Sequence, residues 1–125
     1  MVAPNYSGLA IYERLALKIK TQVLQGVLQP SDKLPSVREM ALQEQLNPNT
    51  VAKTYKLLEE QQVIYVEPGK GSFVSQMQTT ADERTSTKFK AQFRHLIIAA
   101  RAQGIQQVQL EQWLAEQFEE ENHEA

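Results

Sequence analysis

One short stretch of the sequence concentrates side chains that can bind nucleic acid. If the stretch is helical, a rotation of about 100° per residue places them on one face, near the first turn. Amides can pair with the edge of adenine, ammonium groups bind phosphate or guanine, and a helix N-terminus favours phosphate. The face carries two amides, a hydroxyl and two ammonium groups: Asn47, Asn49, Thr50, Lys53 and Lys56. A solvated helix face beside an N-cap would have the same composition, so this stretch alone leaves both interpretations open.

The helix that must position these groups is delimited by its own residues. Asn47 is a favourable N-cap, and Pro48 occupies the first helical position, where a missing N–H is tolerated. The pattern predicts a helix from Pro48 to about Gln61. Its core-facing side is expected to carry the apolar residues spaced at i, i+4 and i+7, which are Val51, Tyr55 and Leu58.

Two further helices precede this one. A four-residue apolar repeat predicts an amphipathic helix over residues 9–25. Residues 28–33 have the composition of a turn. Ser36 and Glu39 then match the capping-box pattern, which predicts that a second helix begins at about Val37.

The residue pattern changes after the third helix. Residues 63–67 and 72–75 are short runs rich in β-formers, and the turn-forming residues 68–71 separate them, which predicts a β-hairpin. Two tightly joined helices followed by a hairpin indicate a winged helix-turn-helix over residues 9–75. The expected fold class is therefore mostly α with a small β-hairpin.

The remaining residues, 76–125, are predicted to form a linker and two helices. Residues 77–87 are polar and lead into the first of these helices, where Thr80 and Glu83 match a capping box. Two apolar stripes lie on either side of Gly104, and two short helices cannot bury both stripes against each other. We expect the stripes to form a homodimer interface. They comprise Phe89, Phe93, Leu96, Ile97, Trp113, Leu114 and Phe118.

Composition excludes several classes of protein. The 125 residues include no cysteine, which excludes disulfide scaffolds, thiol nucleophiles and cysteine-ligated metals. His95 and His123 lack partners at ligand spacing, and neither a catalytic triad pattern nor a phosphate loop occurs. No enzyme activity, metal or cofactor is therefore expected. The sequence has neither a signal-peptide pattern at its start nor an apolar run long enough to cross a membrane, so we expect a cytoplasmic protein without a membrane partner.

The net charge of −2 is unevenly distributed. Residues 1–75 contain eight basic and seven acidic side chains, whereas residues 76–125 contain five and eight. Residues 1–75 are thus slightly basic, and the acidic residues of the tail make the net charge of the whole chain negative. The tail includes Glu119, Glu120, Glu121 and Glu124.

Three ordered motifs closely resemble the GntR family of bacterial transcription regulators. They are KLPSVREMA at residues 33–41, LNPNTVAKTY at 46–55 and GKGSFV at 69–74. The similarity covers about residues 9–75. The string NPNTVAK at residues 47–53, with the short two-helix C-terminal region, looks like the YtrA-type subfamily. The larger effector-binding domains of other GntR subfamilies are not expected to fit in the remaining residues.

The resemblance implies a role in DNA binding for particular residues. Arg38 matches an arginine that reaches DNA from the second helix. Ser36 could touch a phosphate, although capping alone would explain it. The start of the recognition helix corresponds to Asn47, Asn49, Thr50 and Lys53. The tip of the wing, which would approach the minor groove, corresponds to Gly69 and Lys70, although an ordinary hairpin turn would also explain these two residues.

The sequence departs from the family pattern at four positions. Ala52 stands where many members carry arginine, and the cation comes one residue later at Lys53, which leaves the base contacts open. Ser31, Gln45 and Gln62 stand at a turn and two helix ends where glycine is usual. A left-handed backbone at such a residue costs about 1 kcal/mol.

Two classes of function fit these observations. The first is a sequence-specific transcription regulator, acting as a homodimeric repressor on double-stranded DNA with a twofold-symmetric operator. The resemblance implies a transporter operon as a typical target, and the effector, if one exists, is unknown. The alternative is a winged helix that binds protein without DNA specificity, which would favour acidic or apolar residues on the outward face of the third helix.

Overall fold

The computed structural model describes residues 8–123 of the chain, and side chains for residues 8–119. Contacts between Cα atoms divide the chain into two units, one ending at Met77 and the other beginning at Gln78. The fold is mostly helical with one hairpin, as predicted. In chain order the elements are α1 (Ile11–Leu24), α2 (Val37–Glu44), α3 (Pro48–Glu60), β1 (Ile64–Glu67), β2 (Gly71–Val74), α4 (Glu83–Ala102) and α5 (Gln107–His123).

Side-chain caps determine where α2 and α3 begin. The Ser36 hydroxyl accepts from the Glu39 N–H at 3.1 Å, and the Glu39 carboxylate accepts from the Ser36 N–H at 2.9 Å. At the start of α3, Asn47 Oδ1 accepts from the Asn49 N–H at 2.8 Å, with Pro48 as the first helical residue. Both starts are confirmed where the capping residues predict them.

The core of the first unit lies between α1, α2, α3 and the hairpin. Each of its large apolar side chains contributes about 1.5–3 kcal/mol by leaving water. The predicted core-facing residues of α3 are confirmed in it, since Val51, Tyr55 and Leu58 are all buried. Other members are Leu15, Ile19, Leu34, Met40, Ala41, Ile64 and Val74.

A buried tyrosine joins α3 to the segment that precedes α2. The Tyr55 hydroxyl donates to the Pro35 carbonyl oxygen at 2.7 Å. Burial, together with the nearby negative charge of Glu39, raises the pKa of Tyr55 to about 12. The neutral phenol is therefore the form that the folded chain favours.

Three residues adopt the left-handed backbone expected from the missing glycines. The φ angles are 72° at Ser31, 57° at Gln45 and 61° at Gln62. Gln45 is the C-cap of α2, and its N–H donates to the Ala41 carbonyl oxygen. The family resemblance located these strained positions correctly.

The second unit differs from its prediction at its start. Asp82 caps α4, because its Oδ1 accepts from the Thr85 N–H at 2.7 Å. The predicted capping box of Thr80 and Glu83 is wrong, and the polar linker ends at Asp82 instead of reaching Thr87. The hydrogen bonds from Thr85 also lower the pKa of Asp82, so the carboxylate keeps the charge that suits a helix N-terminus.

The helices of the second unit are joined by a short turn. Gly104 has a φ of 86°, and the Ile105 N–H donates back to the Ala100 carbonyl oxygen at 3.0 Å. Within the part of the chain that the structure describes, every helix is too short or too polar to cross a membrane. Of the predicted acidic tail, Glu119 is exposed, Glu124 lies outside the described residues, and the side chains of Glu120 and Glu121 are not described.

Replacing Gln45 by glycine is expected to stabilise the protein. Glycine removes about 1–2 kcal/mol of left-handed strain and adds about 0.5–1 kcal/mol of chain entropy to the unfolded state, a net gain of about 0.5–1 kcal/mol. Urea unfolding measures the change. Gln43→Gly is the matched control, because the same substitution inside α2 should cost about 1 kcal/mol. Equal effects at the two positions would contradict the strain at Gln45.

Tyr55→Phe is expected to lower the free energy of unfolding by about 1–2 kcal/mol at neutral pH, since the Pro35 carbonyl loses its donor. The raised pKa adds a pH dependence. The unfolded chain loses this phenol proton near pH 10 and the folded chain only near pH 12, so this contribution is complete below pH 10 and lost towards pH 12. Denaturant unfolding from pH 8 to 12 should show the difference between the two proteins shrinking, and a constant difference would refute the assignment. Tyr65→Phe is the control at neutral pH: Tyr65 is an exposed residue, so this substitution should leave the free energy of unfolding nearly unchanged.

Candidate nucleic-acid interface

Helix α3 presents two faces of different chemistry. On the inner face, Thr54 is fully buried beside the apolar residues already described. On the outer face, Asn49, Lys53 and Lys56 are exposed, and Thr50 is half-buried at the flank. The polar groups predicted for nucleic-acid binding thus lie where a large partner can reach them.

The buried Thr54 ties this helix to α1. Its hydroxyl donates to the Tyr12 carbonyl oxygen at 2.7 Å and approaches the Thr50 carbonyl oxygen at 3.2 Å. The shorter of these two hydrogen bonds runs between the helices and so contributes to holding α3 against α1. Thr54 was not predicted as a packing residue, although its position three residues after Val51 places it on the inner face.

A second contact with α1 involves a predicted DNA-binding residue. The Lys53 ammonium lies over the Tyr12 ring, 4.2 Å from the ring centroid. Such a cation–π contact holds the cation in place while leaving it accessible from the other side. Lys53 is exposed and Tyr12 is half-buried. Tyr12 was not predicted as part of the site, because a pairing between residues this far apart leaves no local pattern.

The two asparagines at the start of α3 have different roles in the structure. Asn47 uses its side-chain oxygen as the cap, which leaves only its amide N–H groups for a further partner. The Asn49 side chain takes part in none of the hydrogen bonds formed among the described residues, so both its oxygen and its nitrogen are available. A bidentate contact with a base needs both atoms, which favours Asn49 over Asn47 for that task.

Helix α2 contributes one exposed cation near its start. Arg38 forms no ion pair or side-chain hydrogen bond within residues 8–119. Ser36 is exposed, but its hydroxyl and N–H both serve the capping box. Helix α2 packs on α3, so the two helix starts belong to the same folded unit.

The hairpin presents the predicted wing tip. Gly69 and Lys70 are exposed in the turn between β1 and β2. The Lys70 ammonium lies 4.0 Å from Glu67 Oε2, an exposed and therefore weak ion pair. Tyr65 and Phe73 are cross-strand partners whose rings stack with centroids 5.6 Å apart, which stiffens the strands below the turn.

A separate apolar surface lies on the second unit. The residues predicted for dimerisation are exposed there, with Phe89 at 64% and Phe118 at 62%, and only Ile97 is half-buried. Of the apolar side chains of α4 and α5 that the structure describes, Ala100 alone is buried. A groove of about 1030 Å³ is lined by Phe93, Leu96, Ile97, Leu110, Trp113 and Leu114, among others.

Comparison with known proteins identifies the family. The sequence pattern described as "Bacterial regulatory proteins, gntR family" matches residues 11–74, which span the whole winged helix-turn-helix. The chain belongs to the GntR family. It is also 40% identical over 111 residues to the HTH-type transcriptional repressor YtrA of Bacillus subtilis, covering 88% of this chain and 85% of that protein.

Solved structures agree with this assignment. A crystal structure named as a transcriptional antiterminator from Listeria monocytogenes superimposes with a TM-score of 0.81 at 32% identity, covering 95% of this chain and 89% of that one. The structure of AraR(DBD) in complex with operator ORX1 gives a TM-score of 0.53 at 25% identity and covers 60% and 90%. The chain is a GntR-family transcriptional regulator with a DNA-binding helix-turn-helix, and not an enzyme.

Proposed function

We propose that the protein is a repressor that binds a twofold-symmetric operator as a homodimer. The observation that carries this proposal is the division of α3 into a buried inner face and an exposed outer face of amides and cations. Asn49 and Thr50 on α3, with Arg38 on α2, are the base-reading groups in this proposal. Phosphate contacts come from Ser36, Asn47, Lys53, Lys56 and, at the wing, Gly69 and Lys70.

The second unit supports the homodimer. Six of the seven residues predicted for dimerisation are more than two-fifths exposed, which is more apolar surface than two helices can leave in water without cost. A second copy of the same unit would cover them. In a twofold dimer, the same surface patch on each of the two subunits forms the interface. The dimer then presents two α3 helices to two half-sites of DNA.

Repression follows from where the dimer sits. A protein that covers a promoter excludes the polymerase. This mode of repression needs no effector and no catalytic chemistry. The similarity to the B. subtilis repressor YtrA supports this direction of control. We infer a transporter operon as the target and the cytoplasm as the site of action, both on the family resemblance. The alternative, a winged helix that binds protein, gains no support from the outer face of α3, whose start carries amides and cations.

DNA selected from genomic fragments by the protein should contain one enriched symmetric site. Arg38→Ala and Asn49→Ala should each weaken binding to that site by about 1–3 kcal/mol per contact and relax specificity at one base pair of each half-site. Footprinting at fixed salt measures both effects. Gln43→Ala, at the far end of α2, is the control and should bind like wild type. Wild-type affinity in both the Arg38 and the Asn49 variant would exclude this face as the reader.

Phe93→Ala is expected to dissociate the dimer. The proposed dimer buries the Phe93 ring, which is exposed in the single chain. Loss of a buried aromatic side chain costs about 3–5 kcal/mol of association free energy, which raises the dissociation constant of the dimer by two orders of magnitude or more. Operator affinity should fall as well, because the two half-site contacts are no longer linked. Sedimentation at micromolar concentration measures the first effect and footprinting the second.

Ile98→Ala provides the control for this substitution. Ile98 is also a large, half-exposed apolar residue of α4, but it does not line the groove that contains Phe93. The Ile98 variant should remain a dimer. A wild-type protein that sediments as a monomer and still binds its operator with full affinity would overturn both the dimer and the twofold operator.

A further inference from the structure

The segment that precedes α2 forms backbone hydrogen bonds with β2 and is not only a turn. The Ser31 N–H donates to the Val74 carbonyl oxygen at 2.8 Å, and the Val74 N–H donates to the Asp32 carbonyl oxygen at 2.9 Å. The Leu34 N–H donates to the Ser72 carbonyl oxygen, also at 2.9 Å. The segment therefore runs along β2 like a third strand, which the turn composition of residues 28–33 did not predict.

This pairing places Lys33 beside the wing. Lys33 lies opposite Phe73 in an antiparallel bridge, and its side chain passes over Gly71. A Cβ atom added to Gly71 would lie 2.9 Å from Lys33 Cε, which is closer than such atoms approach in proteins. The glycine thus leaves the space that the lysine stem occupies.

The other neighbour of Lys33 is the first turn of α2. The hydrogen bonds from Ser36 are the main reason that the pKa of Glu39 is lowered, and the positive charge of Lys33 lowers it further. Lys33 is exposed, and within residues 8–119 its ammonium forms no ion pair with a carboxylate. Its cation therefore lies between the start of α2 and the wing turn, free to bind an anion.

We propose that Lys33 binds a backbone phosphate of the operator, at the ridge between the groove that α3 enters and the groove that the wing approaches. The proposal rests on the DNA-binding function proposed above. In the proposed complex, α3 enters the major groove and the wing tip, as the family resemblance implies, approaches the neighbouring minor groove. The sugar-phosphate strand that separates the two grooves then passes between these elements. A cation held at the same point faces that strand. The bridge to Phe73 fixes the Lys33 backbone beside the wing, and Gly71 leaves room for its side chain. This placement suits a contact that positions the protein without reading sequence.

Lys33→Met tests this contact, because methionine keeps an unbranched apolar stem and removes the charge. Removing one phosphate contact lowers the slope of log affinity against log salt by about 0.9, or about 1.8 for a dimer. The decrease should appear with the selected operator duplex and equally with a duplex of unrelated sequence. Lys33→Arg keeps the charge and should keep the wild-type slope.

Lys18→Met is the matched control. It makes the same change of charge on α1, where Lys18 pairs at 2.9 Å with Glu44 at the C-terminal end of α2, and it should leave the slope unchanged. A wild-type slope in the Lys33→Met protein, with Arg38→Ala still impaired, would overturn the role of Lys33 and leave the proposed function standing. Absence of salt-dependent DNA binding by the wild type would overturn both.

Discussion

The hydrogen bond between the Tyr55 hydroxyl and the Pro35 carbonyl oxygen is the contact on which the placement of α3 depends. Pro35 directly precedes the cap of α2, so this bond joins the recognition helix to the point where its neighbour begins. The adjacent residue, Thr54, bonds to the Tyr12 carbonyl oxygen of α1. Two consecutive side chains thereby join α3 to both other helices, and on the outer face of α3 only Lys53 makes a described side-chain contact, with the Tyr12 ring.

The same few residues also connect the helices to the wing. The stretch from Ser31 to Leu34 pairs with β2 and leads into Pro35, so the hairpin is anchored next to the Tyr55 contact. Leu58, Ile64 and Val74, all essentially inaccessible to water, close the remaining space between α3 and the hairpin. The relative positions of helix start and wing turn are set by backbone bonds, which a change of surface side chain does not disturb.

Much of this fold could be predicted from the sequence because its signals are local. Ser36 with Glu39, and Asn47 with Pro48, are patterns of two to four residues whose hydrogen bonds close within one turn. The start of α4 was mispredicted for a related reason. Thr80 and Asp82 are both favourable N-cap residues, and the local pattern does not decide which of the two caps the helix. The pairing of residues 31–34 with β2, and of Tyr12 with α3, joins positions about 40 residues apart, and a single sequence carries no record of such contacts. The roles of the DNA-facing and dimerisation residues stay predictions for the experiments above.

The placement of Lys53 over the Tyr12 ring has a consequence for the thermodynamics of binding. A free lysine side chain carries about 2 kcal/mol of rotamer entropy, and an interface that immobilises it loses much of that freedom. In this protein part of the loss is already incurred on folding, and the ring replaces some of the water around the ammonium. In the proposed complex, Lys53 would therefore reach its phosphate with less ordering and less dehydration than an unconstrained lysine such as Lys56, so the same charge would bind with a smaller entropic penalty.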